Sequence, residues 1–204
     1  MPLIPLRLRR LFDWIFVAVL ILTIGVPLLL SGNIVWFLEN SLVENAQVVY
    51  LIGGAALYAW LGRKSRGPLR LQCDGLAIVM FAGALRESDP RGSPLEPLLG
   101  GIWHHGYHFL PLFAAMIYWL WEARGQYLAT TRHMLRWAIT MPAMLVWLGA
   151  AIFVASDFAE HQAVVGNGLN FEIVEESLEI VAYYCLVLSA WLTARRMTGA
   201  EASV

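Results

Sequence analysis

The stretch EIVEESLEIVAYYCLVLSAWL, residues 172–192, joins an acidic sequence to an apolar one without a break. The segment 174–194 has the roughly 20 residues that a helix needs to cross a bilayer. Glu179 lies about 10 Å along such a helix from Glu172, inside the membrane boundary, where an ionised carboxylate is costly unless it is paired, hydrated or protonated. At helical spacing, four acids share one face of this helix: Glu172, Glu175, Glu176 and Glu179.

The composition of the whole chain agrees with this interpretation. Of 204 residues, 59% are hydrophobic and only 14% are charged, whereas a soluble domain has about 25% charged residues. The basic residues are scattered through short connecting segments without a motif, which argues against nucleic-acid binding. The composition therefore predicts a membrane protein whose first partner is the lipid bilayer.

Six apolar segments with short connections predict an all-α bundle of six transmembrane helices, which forms a single integral membrane domain over 1–204. The first segment follows a basic start, as a signal peptide does. It is about 20 residues long and no A-x-A cleavage site follows it, so we expect it to be retained as a span. The expected spans are 11–31, 42–62, 70–86, 102–122, 134–156 and 174–194.

The distribution of charge predicts the orientation of the bundle. Twelve of the 14 basic residues fall at the two termini and in the connections on the same side, and the positive-inside rule assigns that side to the cytoplasm. Eleven of the 15 acids and four of the five histidines fall on the opposite side. We therefore expect cytoplasmic N- and C-termini, a bacterial inner membrane, and a polar cluster that faces the periplasmic or extracellular side.

Helix macrodipoles explain only part of this outer accumulation. Acids in the first turn of a helix are favoured by the dipole, which would suffice to explain Glu44, Glu172 and Glu175 without any function. The dipole disfavours Asp157 and Glu160, which fall at the end of the fifth span. It also has no bearing on Glu179, which lies too deep in the sixth.

Carboxylates and imidazoles at one depth predict a divalent-metal centre that holds Zn, Mn or Fe. The expected chemistry is metal-assisted hydrolysis or group transfer on a lipid-type or lipid-linked substrate, with Glu176 or Glu179 as the base. Arg86 would hold a phosphate or carboxylate of the substrate, or serve as a structural counter-ion for Glu87 or an acid of the sixth helix. The candidate metal ligands are His104, His108, Asp157, Glu160, His161, Glu172, Glu175 and Glu44.

Two other functions remain open at this point. In a proton- or cation-conducting transporter, the carboxylate face would be the ion path and Glu179 its gate. In a non-catalytic subunit, the outer patch would dock a protein partner or sense pH through its histidines. At the inner side, Asp74 and Glu122 lie near basic residues, and we expect them to form local ion pairs.

Overall fold

The computed structural model describes residues 42–88, 105–165 and 169–200, together with positions 14, 97 and 100–102. Within these ranges the backbone is helical or in short turns, and no strand occurs. The first expected span, 11–31, lies outside the described residues except for Trp14. Nearly all of the remaining expected spans fall within them.

The described helices follow the order of the apolar segments. Short 3-10 helices precede and follow α3, at Tyr107–Phe109 and Arg124–Gln126. The α-helices are α1 (Leu42–Lys64), α2 (Gly67–Glu87), α3 (Leu110–Ala123), α4 (Tyr127–Trp137), α5 (Met141–Val165) and α6 (Leu169–Ala200).

A tight reversal joins α1 to α2. Gly67 has a φ of 59°, which a residue without a Cβ adopts without strain. Pro68 follows in the first turn of α2, where its missing N–H leaves no intrahelical bond unmade. The Ser65 hydroxyl donates to the Leu61 carbonyl at 2.7 Å and so satisfies one of the last carbonyls of α1. The two helices therefore pack as an antiparallel pair.

Helix α6 lies at the centre of the described bundle, packed along α5 and against α1, while α3 and α4 lie against α2. Leu51 and Tyr58 of α1 and Ile180 of α6 are 1% exposed in the apolar core. Helices α5 and α6 approach closely at Gly149, where an added Cβ would lie 2.9 Å from the Ala182 carbonyl oxygen. Small residues allow this approach, as is usual between membrane helices.

Three described helices are long and apolar enough to cross a membrane: Gly67–Glu87, Met141–Phe158 and Val174–Met197. These helices support an integral membrane protein.

The fourth segment differs from the single helix expected over 102–122. The chain turns at His105 and Gly106, and Gly106 has a φ of 71°. Helix α3 begins only at Leu110 and contains 14 residues, a length of about 21 Å against a hydrocarbon core of about 30 Å. The left-handed glycine ends any helix that arrives from residue 102, and Pro111 then suits the first turn of α3.

The fifth segment is also displaced from its expected bounds of 134–156. Helix α4 ends at Trp137, a turn covers 138–140, and α5 continues from Met141 to Val165. Pro142 lies in the first turn of α5, where its missing N–H leaves no intrahelical hydrogen bond unmade. The end of α5 therefore extends further towards the predicted outer side than the hydropathy indicated.

Candidate functional site

A group of polar side chains, most of them buried or half-buried, joins α1, α2 and α6 at the predicted outer end. The last turn of α2 supplies an arginine and a glutamate, the first half of α1 supplies a glutamine, and α6 supplies two glutamates and a tyrosine from one face. We call this group the carboxylate network: Gln47, Arg86, Glu87, Glu176, Glu179 and Tyr183.

Arg86 links two carboxylates from different helices. Its Nη2 lies 2.7 Å from Glu179 Oε1, and its Nε lies 2.9 Å from Glu87 Oε1. The side chains of Glu179 and Glu87 are 6% and 9% exposed, whereas that of Arg86 is 48% exposed. The guanidinium also stacks over the Phe153 ring of α5, with Cζ 4.6 Å from the ring centroid. The expected counter-ion role of Arg86 is confirmed for both Glu87 and Glu179.

Tyr183 extends the network one turn deeper along α6. Its hydroxyl donates to Glu87 Oε1 at 2.7 Å, so one carboxylate oxygen of Glu87 is shared by a phenol and a guanidinium. The Tyr183 ring packs against Phe153 with centroids 6.0 Å apart. The end of α2 is therefore held on the face of α6 by hydrogen bonds and by aromatic packing together.

Glu176 is held by an amide. Gln47 Nε2 donates to Glu176 Oε2 at 2.7 Å across the interface between α1 and α6. Gln47 is fully buried, and its Oε1 atom accepts no hydrogen bond from any residue that the structure describes. A buried acceptor of this kind carries a free-energy penalty, and here it lies on the side chain that binds a carboxylate.

Within this network the charges are not balanced. Glu87, Glu176 and Glu179 contribute three carboxyl groups, and Arg86 is the cation that pairs with two of them. Each carboxylate has an identified donor, but among the described residues Glu176 is hydrogen-bonded by a neutral amide alone. The network thus combines buried acidic oxygens with an orphan amide oxygen, which is an arrangement suited to a proton or a small cation.

The structure describes only some of the expected metal ligands. Glu44 and Glu175 are half-buried, and Asp157 is exposed on α5. Glu160 and His161 lie on the helical backbone of α5, and Glu172 lies on that of α6, but their side chains are outside the described part. His104 also falls outside it. Among the described side chains, no three metal-ligating groups are close enough to hold one ion.

His105 and His108 do not share a helical face, although a helix from 102 would require it. His105 lies in the turn, with Nδ1 2.7 Å from the Gly101 carbonyl oxygen and its ring stacked on Tyr107. His108 lies in the 3-10 helix, with its ring centroid 4.0 Å from that of Phe109. The positive φ of Gly106 between them separates the two rings.

Sequence reasoning did not identify Tyr183 and did not assign a partner to Gln47. A signal existed for both. Tyr183 follows Glu179 by four residues and Glu176 by seven, so it lies on the acidic face of α6. Gln47 lies on the same face of α1 as Val43 and Tyr50, which are buried.

Comparison with protein families, with curated proteins and with solved structures yields no match to this chain.

Proposed function

We propose that the chain is an integral membrane transport protein in which the carboxylate network binds a proton or a small cation. The observation that carries the proposal is the Gln47–Glu176 pair. A fully buried amide holds a half-buried carboxylate at 2.7 Å, and the amide's own oxygen has no partner among the described residues. A cation between these two oxygens would satisfy both.

The chemistry of the network favours this function over a purely structural role. Acidic residues within membrane helices are rare, and they mark ion or proton pathways when they face the interior of a bundle. Arg86 already neutralises part of the charge of Glu179 and Glu87. The remaining acid, Glu176, is therefore the group that we assign to the transported ion.

A route through the bundle would use groups on α6. Beyond Tyr183, the next buried hydroxyl on this helix is that of Ser189, six residues further on, which is about 9 Å along the axis. Between them, Tyr184 is only half-buried and the other residues are Cys185 and three aliphatic residues, so passage across this step requires water or a helix movement. We accordingly assign ion binding to the carboxylate network and the transport barrier to the segment between Tyr183 and Ser189.

The topology that we propose is the one expected from the hydropathy and charge distribution of the sequence. It has six spans, cytoplasmic termini, and a network that faces the periplasmic or extracellular side of a bacterial inner membrane. The run of arginines and lysine at the end of α1 and the start of α2 supports this orientation by the positive-inside rule.

Ion flux in liposomes tests the proposal. We expect purified protein to carry a proton or a monovalent cation, and Glu176→Gln to reduce the flux at least tenfold because the amide lacks the charge. Glu122→Gln, at the opposite end of the bundle, is the matched control and should retain flux. Wild-type protein without flux, or Glu176→Gln with full flux, would refute the proposal.

A divalent-metal centre is the second candidate, and one contact favours it. The Ser156 hydroxyl donates to the Glu175 carbonyl at 3.1 Å. This contact brings the residue before Asp157 on α5 beside the acidic turn of α6. In this function a Zn, Mn or Fe ion would activate water for hydrolysis or group transfer on a lipid-linked substrate. Glu176 would take the proton, and Arg86 would have to exchange a carboxylate for the substrate.

Elemental analysis distinguishes the second candidate from the first. A metal centre predicts stoichiometric Zn, Mn or Fe in purified, untagged protein. The His104→Ala/Glu176→Ala double variant should lose it while retaining its expression level. Absence of metal from both proteins after incubation with each ion would eliminate this candidate, and it would leave the transport proposal unaffected.

A further inference from the structure

A cavity of about 550 Å³ lies between α1, α2 and α3 at the end of the bundle opposite the carboxylate network. This volume is within the range of about 300–1,000 Å³ that is usual for sites of small ligands. Charged residues surround one end of the cavity, which we call the rim: Arg63, Arg70, Asp74 and Glu122. Small and aliphatic residues, together with Trp119, line the rest of the cavity deeper in the bundle.

The rim carries equal numbers of positive and negative groups. Arg70 pairs loosely with both acids, with Nε 3.4 Å from Asp74 Oδ2 and Nη2 3.7 Å from Glu122 Oε2. These pairs confirm the local ion pairs expected from the sequence. Their side chains are 31% to 42% exposed, so the pairs are weak and open to exchange. Arg63 also lines the rim and forms no ion pair with the carboxylates in the described ranges.

The Asp74 carboxylate is directed by close packing against α1. A methyl group added at Gly62 would overlap Asp74 Oδ1, so this glycine leaves the space that the carboxylate occupies. Asp74 lies one helical turn deeper than Arg70, and Glu122 approaches from α3 on the other side of the cavity. Positive and negative groups therefore lie next to each other at the mouth of one cavity.

The apolar end continues in the direction of the bilayer interior. Ala77 lies seven residues after Arg70 on α2, which is about 10 Å along the helix axis. Ala115 faces the same cavity from α3, and the small side chains leave the space open. Tyr118, between Ala115 and the rim, is 58% exposed on the outside of the described bundle, so the cavity opens where lipid would lie.

We propose that this cavity binds a phospholipid with a primary ammonium headgroup from the leaflet at this end. The phosphate accepts hydrogen bonds from Arg63 and Arg70, and an acyl chain lies along Ala77 and Ala115. The ammonium donates to Glu122, whose contact with Arg70 is the longer of the two rim pairs. A lipid with phosphate alone leaves the two carboxylates without a cation, because the rim as a whole is neutral. This site is separate from the carboxylate network and does not depend on the proposed function.

Native mass spectrometry of the full chain tests the site with three lipids that have identical acyl chains. We expect phosphatidylethanolamine to bind about tenfold more tightly than phosphatidylcholine or phosphatidylglycerol. One additional charge-assisted hydrogen bond is worth at least that factor, and neither of the other headgroups has an ammonium N–H. Equal or tighter binding of either comparison lipid would overturn the proposal.

Variants at the rim and at the apolar end assign the two parts of the ligand. Glu122→Gln should abolish most of the preference for phosphatidylethanolamine. Arg63→Gln should weaken the binding of all three lipids by a similar factor. Lys64→Gln, next to Arg63 but not lining the cavity, is the matched control and should bind as the wild type does. Rim variants that leave both affinity and preference unchanged would also overturn the proposal.

Two further measurements distinguish loss of lipid binding from misfolding, and a lipid ligand from a soluble one. Ala115→Trp fills the apolar end without changing a rim charge, so it should lose lipid binding while its unfolding temperature stays close to that of the wild type. Lipid binding at full strength in this variant contradicts the proposal. Free phosphoethanolamine should displace the lipid only at a large excess, and displacement at equal concentration would instead assign a soluble ligand.

Discussion

The two ends of α6 are joined to neighbouring helices by different chemistry. At the predicted outer end, Glu179 binds Arg86 of α2 through an ion pair of 2.7 Å. At the opposite end, the Tyr58 hydroxyl lies 2.8 Å from Ser189 Oγ, which itself donates to the Pro142 carbonyl at 2.7 Å. Because Ser189 has one hydroxyl proton, Tyr58 must be the donor in the first of these bonds.

This difference shows where charge is buried between helices in the described bundle. The side chains of Glu179 and Glu87, the two acids that pair with Arg86 at the outer end, are 6% and 9% exposed. Those of Asp74 and Glu122 at the inner cavity are 31% and 37% exposed. Fully buried polar contacts at the inner end are neutral hydroxyls. An ion pair with a buried member adds little to stability, but removing one partner is very costly because the other charge stays buried. The loss of a neutral hydrogen bond lowers the free energy of unfolding by about 1 kcal/mol. The outer end is therefore more sensitive to mutation.

The largest effect is expected from Arg86→Met. The change leaves Glu179 buried without its cation, and we expect the free energy of unfolding in detergent micelles to fall by about 3 kcal/mol. Arg132→Met on the exposed surface of α4 is the control and should stay within about 0.5 kcal/mol of the wild type. Adding Glu179→Gln to Arg86→Met should restore at least half of the loss. An Arg86→Met variant as stable as the control would contradict a stabilising ion pair between Arg86 and the buried Glu179.

A smaller effect is expected from Ser189→Ala. This change leaves the Tyr58 hydroxyl buried without its acceptor, at a cost of about 2 kcal/mol, which chemical denaturation would measure. The variant should still express, because the carboxylate network that joins α1, α2 and α6 is unchanged. A loss larger than that of Arg86→Met would reverse the comparison between the two ends.

Tyr58→Phe should cost less than Ser189→Ala, about 1 kcal/mol. Ser189 keeps its bond to the Pro142 carbonyl, so no buried donor is left without an acceptor. The same denaturation measurement applies, and the order of the two variants is the test. If Tyr58→Phe is the more damaging, the assignment of Tyr58 as the donor is wrong.

The smallest expected effect depends on pH and involves His133 of α4. Burial, and then the nearby charge of Arg136, lowers the pKa of His133 below its ordinary 6.5. Its Nε2 lies 2.6 Å from Gln72 Oε1. The contribution of neutral His133 to the free energy of unfolding is complete above pH 6.5. It is lost as the pH falls through the lowered pKa of the folded state, because His133 of the unfolded chain takes up a proton first. His133→Gln should unfold without this contribution, and identical pH profiles would contradict it.

The helical fold was predictable because apolar length is a strong signal, but local helix ends were not. Hydropathy identified the segments of α1, α2, α5 and α6. It did not predict the turn at Gly106 or the break at residues 138–140. A window of about 19 residues averages over a single glycine with positive φ, and Pro142 is compatible with both a kink and a start.

The candidate site was predictable in its acids and not in its partners. Helical spacing placed Glu176 and Glu179 on one face, and Arg86 was expected to be a counter-ion. The pairing of Gln47 with Glu176 depends on which helix lies against α6, and helix order is not encoded in periodicity. The proposed pairing of His104 with His108 stays a prediction, because His104 lies outside the described residues.

The length of α6 has a consequence for the membrane itself. Helix α6 contains 32 residues, which is about 48 Å, and a bilayer core is about 30 Å thick. The excess must be accommodated by tilt or by turns that project into the headgroup region. A thicker bilayer would draw the turn that contains Glu176 towards the acyl chains, and a thinner one would release it to water. The hydration of Glu176 is thus coupled to the hydrophobic thickness of the bilayer. Lipids of different chain length should therefore change how strongly the carboxylate network binds the proposed ion, without any change in sequence.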